Sequence, residues 1–262
     1  MTTYGVLGVG ELGSALVTGL CDGVDDPPAV LLSPRGESAA HRLAARCPST
    51  KVAEDNQAVV DGADLVLVCL RQADARVLED LEWREGQVVV SAVAGLSLDR
   101  LSALVEPATA CRAVPMPEVA TRSSETPLHP DLPEAVALFE RLGGALPLDD
   151  ADQFDAVFTV LGTVAPFFEY LGTLVDWATE RGLPADVARR LVGRAFAGVG
   201  QTLREASADG DADFAALVRL YAPPGGGNAQ LTEALREAGM FDDVKEGLSK
   251  VHANLTGIAG ER

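Results

Sequence analysis

Lysine is nearly missing from this chain: Lys51, Lys245 and Lys250 are the only three, and none stands between the first two. That gap excludes a lysine general acid throughout the middle of the sequence. Basic charge is scarce altogether, with 21 Lys and Arg against 39 Asp and Glu and a formal net charge of -18, which argues against nucleic acid or an anionic membrane surface as partner. The four cysteines (Cys21, Cys47, Cys69, Cys111) lack C-x-x-C spacing, and the three histidines (His41, His129, His252) are too dispersed to suggest a metal site. Reduced thiols in a cytoplasmic protein are the expectation. No uninterrupted run reaches the roughly 18 to 20 apolar residues of a membrane span, and no basic segment precedes the first apolar stretch after Met1-Thr2-Thr3. The reading is a soluble chain without a membrane segment or secretion signal.

What is present is apolar content, 47% of 262 residues, enough for a sizeable core. The organising stretch comes at once: a short apolar run Tyr4 to Leu7, the glycines of Gly8-Val9-Gly10-Glu11-Leu12-Gly13, then apolar residues at helical spacing to Leu20. Strand, G-x-G-x-x-G and helix in that order form a dinucleotide-binding turn. Gly8 allows the tight exit from the strand, Gly10 clears the approach of a pyrophosphate, and Gly13 lets the helix pack close. The N–H groups opening the helix, at Glu11 and Leu12, face the phosphates. Roughly 20 residues on, where NAD sites carry an acid for the ribose 2′-hydroxyl, the strand Ala29 to Leu32 runs into Ser33-Pro34-Arg35. A hydroxyl and a guanidinium suit a 2′-phosphate, so NADP is favoured over NAD.

The chain then alternates. Helix is expected over 38–46, a short strand over 51–53, helix over 57–60, a continuous apolar strand over 63–70, helix over 73–81, strand over 87–91, helix over 98–104 and strand over 111–114. Helix over 133–142 and an edge strand over 144–148 close the series. Such alternation predicts right-handed βαβ units and a doubly wound, Rossmann-type parallel sheet with its ligand at the carboxyl ends of the strands. Residues after those ends are therefore candidates: Leu70 and Arg71; Ala94 and Gly95, small enough for a flat nicotinamide ring; and Pro115 with Met116. From 150 onward only helical patterns remain: 153–181, 184–208, 212–220, 229–237 and 241–255, with Gly182-Leu183-Pro184 a clear break. The expected division is a dinucleotide-binding domain over 1–149 and an all-helical substrate-binding and dimerisation domain over 150–262. Gly193, Ala197 and Gly200 share one helix face, which predicts close helix packing and a homodimer.

With these segments in place the chain resembles the pyrroline-5-carboxylate reductase family over nearly its whole length. The resemblance is carried by Gly8 to Ala15, Ser91-Ala92-Val93-Ala94-Gly95, Arg112-Ala113-Val114-Pro115, Gln153 to Leu161 followed by Pro166, and Ala222-Pro223-Pro224-Gly225-Gly226-Gly227. It implies reduction of a small, carboxylate-bearing cyclic imine by NAD(P)H, as in proline biosynthesis, in a dimer interlocked through the helical domain. Departures fall on the site. The family's Met-Pro-Asn is Val114-Pro115-Met116, its Ser-Gly-Ser-Gly-Pro is Gly162-Thr163-Val164-Ala165-Pro166, and the loop hydroxyl thought to serve the imine nitrogen falls on Gly227. The related β-hydroxyacid dehydrogenases rely on a lysine in the long linking helix, which is absent here.

Hydride transfer needs positioning and one proton. The proton candidates are Tyr221 beside the glycine loop and Thr163, read as the centre of one long helix, with Glu169 and Tyr170 behind them. Gly225, Gly226 and Gly227 offer amide donors for the substrate's anionic group, with Met116 at the same site. The competing reading is an NADP-binding sensor or scaffold that has lost catalysis, favoured by the missing hydroxyl at Gly227.

Overall fold

The computed structural model describes residues 2–207 and 210–260. In chain order they form β1 (Tyr4–Leu7), α1 (Glu11–Cys21), β2 (Val30–Leu32), α2 (Glu37–Arg46), β3 (Thr50–Val52), α3 (Asn56–Gly62), β4 (Leu65–Val68), 3₁₀ turns over Gln72–Asp80, β5 (Val88–Ser91), α4 (Leu98–Val105), β6 (Thr109–Ala113), 3₁₀ turns over Pro117–Thr121, β7 (Thr126–His129), α5 (Pro133–Glu140) and β8 (Ala145–Pro147). Helices follow: α6 (Ala151–Leu161), α7 (Val164–Glu180), α8 (Ala185–Ala206), α9 (Phe214–Tyr221), α10 (Gly227–Glu237) and α11 (Met240–Gly260). The chain divides into two compact units, Met1–Phe158 with Asn254–Arg262, and Thr159–Ala253.

The first unit carries one sheet of eight strands in the order β3-β2-β1-β4-β5-β6-β7-β8. Parallel pairing runs from β3 to β6, β7 pairs antiparallel with β6, and β8 pairs parallel with β7. Neighbouring residues of the central strands face opposite sides: Val6, Leu67 and Val90 enter one core with Leu16, Leu20 and Phe139, while Leu7, Val66 and Val89 enter the other with Leu78 and Leu101. A strand buried on both faces must be apolar at every position, which is why these runs show no alternation.

The doubly wound sheet of the sequence reading is present, with three corrections. The strand β7 was not foreseen, because Pro127 within it lacks an N–H for a ladder. It fits because Pro127 offers only its carbonyl there, to the Val114 N–H at 2.9 Å. The segment after β4 is 3₁₀ rather than α, and its buried residues Ala75 and Leu78 stand three apart, the period of that tighter turn. The single helix expected over 153–181 is two. A proline at 166 cannot donate to the Gly162 carbonyl and its ring crowds it; the break falls at Gly162-Thr163, and the Thr163 hydroxyl donates to the Val160 carbonyl at 2.7 Å. Thr163 thus stands at the start of α7, not at a helix centre.

Two further features position the site. Helix α1 lies against the 117–121 turns so closely that a Cβ at Gly19 would be 2.2 Å from the Val119 carbonyl oxygen. Arg122, in a left-handed conformation at φ 54°, donates to the Gly19 and Asp22 carbonyls at the end of α1. At β6, the Arg112 guanidinium lies 4.3 Å from the buried Phe154 ring and is paired with Asp155 at 2.9 Å, which fastens the first turns of α6 to the strand.

In the helical unit α7 buries none of its residues fully and α8 buries only Ala188. Phe196 of α8 meets Phe167 and Tyr170 of α7 edge to face, at 6.0 and 6.1 Å between centroids. The sequence reading found no membrane-length apolar run. Taken over an 18-residue window, however, the stretch Ala151–Glu180 reaches a mean hydropathy of 1.4, long and apolar enough by composition alone to cross a membrane.

Candidate dinucleotide and substrate site

Chain order reverses at β1: β2 and β3 lie on one side, β4 to β6 on the other. Such a reversal opens a crevice at the carboxyl ends of the strands. Five loops end there, those after β1, β2, β4, β5 and β6.

The glycines of the first loop each answer a different spatial demand. Gly8 sits at φ +96°, and a Cβ on it would be 2.6 Å from the Cys69 carbonyl oxygen. A Cβ on Gly13 would be 2.2 Å from the Gly8 carbonyl oxygen, so α1 begins directly on that turn. Gly10 has nothing within 4 Å of its Cβ position, and no side chain caps the helix it opens. An open concavity before uncapped helix N–H groups fits a pyrophosphate. The N–H groups of Glu11 and Leu12 lie in that first turn.

Ser33 is 2% exposed, and its hydroxyl accepts from the Gly8 N–H at 3.2 Å. It ties the glycine turn to β2 from within. Arg35 points outward, two-thirds exposed, to an ion pair with Asp74 at 3.4 Å. Arg71, from the loop after β4, reaches the other oxygen of the same carboxylate at 2.9 Å. The sequence-selected Arg35 and Arg71 are brought together, around an acid that sequence reading missed; its only signal was its place three residues past Arg71. Leu70 lies beneath the turn, its Cδ2 3.0 Å from the Cβ position of Gly8.

Ala94 is exposed at the end of β5 and Gly95 follows at φ +73°, with the Gln72 amide nitrogen 2.9 Å from its Cβ position. Any side chain at 95 would displace that amide. Pro115 is buried after β6, and Met116, half-buried, precedes the 117–121 turns. Burial pushes the Cys69 and Cys111 thiols up to about 12, so both stay protonated packing groups. Among the described residues no group of three or more His, Cys, Asp or Glu could hold a metal ion.

In the helical unit the glycine loop leads into α10. Gly225 has φ +76°, and Gly226 is the helix cap without a side-chain bond. Its N–H is taken by the Pro223 carbonyl at 3.0 Å, so the three amide donors expected there reduce to those of Gly225 and Gly227. Asn228, one residue beyond the loop, donates to the Tyr221 carbonyl at 2.8 Å and closes it. The Tyr221 hydroxyl lies 3.2 Å from that of Thr202, whose oxygen is 3.3 Å from the Gly198 carbonyl.

Comparisons with known proteins agree with this architecture. Residues 3–95 match the family model described as NADP oxidoreductase, coenzyme F420-dependent, and residues 151–256 match that for pyrroline-5-carboxylate reductase dimerisation. Pyrroline-5-carboxylate reductase of Corynebacterium melassecola is 28% identical over 224 residues, 78% of this chain and 81% of the relative. That of Pseudomonas aeruginosa is 28% identical over 207 residues, 74% and 76% of the two chains. Among solved structures, the 1-pyrroline-5-carboxylate reductase of Streptococcus pyogenes superposes with a TM-score of 0.82 at 22% identity, covering 98% of both chains. The Plasmodium falciparum pyrroline carboxylate reductase, solved with NADP bound, reaches 0.78 at 15% identity and the same coverage. Fold and glycine turn define an oxidoreductase of the NAD(P)-binding class. Within that class the chain is similar to the pyrroline-5-carboxylate reductases over most of its length.

Proposed function

We propose that this protein is an NADPH-dependent reductase of a small cyclic imine bearing a carboxylate, pyrroline-5-carboxylate or a close analogue, acting as a homodimer. The observation that carries the reading is the open Gly10 cradle at the start of α1 with Arg35 and Arg71 beside it, in a chain whose relatives are pyrroline-5-carboxylate reductases. When bound, the reduced nicotinamide supplies the hydride. The chain's own residues do the rest. The N–H groups at the start of α1 hold the pyrophosphate, and Arg35 with Arg71 answers the 2′-phosphate. Ala94 and Gly95 leave room for the flat ring. Amide donors at Gly225 and Gly227 suit the substrate carboxylate, and Tyr221 is the candidate that delivers a proton to the imine nitrogen.

The test is NADPH oxidation, followed at 340 nm, with pyrroline-5-carboxylate and a panel of cyclic imines, beside direct titration of NADPH and NADH. Turnover of at least one carboxylated imine and tighter binding of NADPH are expected. Tight NADPH binding with no turnover of any panel member would instead support a sensor, the reading that the missing hydroxyl at position 227 favours.

Support for the dimer comes from the exposed apolar side chains of the helical unit, among them Phe168, Leu191, Phe214 and Leu220, each more than half exposed in one protomer. They fall within the matched dimerisation model, which also accounts for the apolar stretch Ala151–Glu180. Gly193 and Gly200 have nothing within 4 Å of their Cβ positions. A Cβ at position 200 therefore meets no obstacle inside one protomer. The substitution should leave helix content unchanged and weaken association at least tenfold, the scale of about 1.4 kcal/mol of overpacking. Unchanged mass by light scattering across a dilution series would remove Gly200 from the interface.

A further inference from the structure

Two exposed cations of the sheet unit converge on one acid. Arg71 is 85% exposed and Arg35 66%, whereas the Asp74 side chain between them is only 22% exposed. The three come from two segments: Arg35 from the loop after β2, and Arg71 with Asp74 from the cap and first 3₁₀ turn after β4. They flank the glycine turn, because β2 and β4 are the two neighbours of β1.

The two arms are unequal. Arg71 donates its Nε to Asp74 Oδ2 at 2.9 Å, which leaves its terminal nitrogens facing solvent. Arg35 reaches Oδ1 at 3.4 Å, near the limit for a hydrogen bond. A phosphate dianion arriving at this edge offers Arg35 more charge and more acceptor oxygens than the carboxylate it already holds. It also has to sit beside a fixed negative charge. A 2′-hydroxyl in the same place meets no such repulsion.

We propose that Asp74 is a tethered competitor for the cofactor's 2′-phosphate: it occupies Arg35 and Arg71 in the free protein and sets how strongly NADPH is preferred over NADH. The inference rests on the NADP reading of the site and goes beyond it by assigning a specificity-determining role to an acid. In the bound state Arg35 passes from Asp74 to the phosphate, while the shorter Arg71 pair stays and holds the second guanidinium at the site. The acid therefore narrows the discrimination that two arginines alone would give.

The experiment is titration of NADPH and NADH against the whole protein and its Asp74→Asn variant, at matched ionic strength. The amide keeps the shape of the carboxylate and removes its charge, and the position is partly exposed, so folding is undisturbed. Exposed ion pairs are weak, so NADPH should bind roughly two- to fivefold more tightly to the variant, with NADH unchanged. In an Arg35→Gln background that gain should shrink, because the guanidinium being released is gone. Weaker NADPH binding in Asp74→Asn, or an equal change for both dinucleotides, overturns the competitor role while leaving NADP as the cofactor. If the unmodified protein binds neither dinucleotide, the cofactor reading falls, and this proposal with it.

Discussion

Gly10→Val should abolish measurable NADPH binding without unfolding the protein, and Gly13→Ala, the smaller change three residues away, should do the reverse. At Gly10 the backbone is extended (φ -86°, ψ -157°), a conformation open to any residue, and the space beyond it is empty. A valine there costs the fold about 0.5 kcal/mol or less. Its methyl groups would stand where a pyrophosphate must approach the N–H groups of α1. Losing two or more charge-assisted hydrogen bonds corresponds to an affinity loss on the order of 10²-fold or greater. At Gly13 the added methyl meets the Gly8 carbonyl oxygen at 2.2 Å, and that obstacle is backbone. Either α1 lifts or the turn opens, at about 1–3 kcal/mol, the range for overpacking a tight interior. Paired thermal melts and NADPH titrations separate the two effects. Equal losses of stability in both variants would show that the glycine turn is a packing device only.

Tyr221→Phe should lower kcat by roughly 10²-fold while leaving NADPH affinity intact, the signature of a lost proton donor. The phenol adjoins the glycine loop and is 43% exposed, so a substrate held on the Gly225 and Gly227 amides can lie within reach. Its partner in the free protein is Thr202. If Thr202 donates to Gly198, the tyrosine proton lies on the Thr202 oxygen, and the phenol has to turn from helix α8 toward the imine. Thr163 is the weaker candidate, since its proton is given to Val160 at the shorter distance of 2.7 Å. Full activity in Tyr221→Phe, measured with an imine the unmodified protein reduces, would assign the tyrosine to packing. Thr163→Val then becomes the decisive variant.

The sequence displayed most of the sheet because parallel strands covered on both faces have to be largely apolar, as Leu65–Val68 is throughout and β5 is from Val88 to Val90. It also displayed the glycine turn, where the demand on each residue is local. What stayed hidden depended on partners distant in the chain. Nothing near Ser33 signals that its hydroxyl turns inward to Gly8, 25 residues away, and nothing near Arg35 signals a carboxylate 39 residues on. The segment around Pro127 drew no strand assignment, for the missing N–H is visible in sequence while the partner that needs only its carbonyl is not. The break before α7 was legible in principle, for Pro166 cannot continue the ladder back to Gly162, but an apolar pattern running across it read as one helix. At the glycine loop, composition shows three amides, and only the fold shows that Pro223 has already taken one.

The seating of α1 bears on how the enzyme meets its cofactor. The helix is gripped at its far end by Arg122, whose guanidinium takes the carbonyls of Gly19 and Asp22, and the Val119 backbone leaves no room for it to slide at Gly19. A cation at that end offsets the negative pole of the helix. The proposed phosphate receptor is in this sense mechanically clamped. On the proposed reading, dinucleotide capture by this unit requires no rearrangement of α1, and the organisational entropy of that contact has already been met during folding.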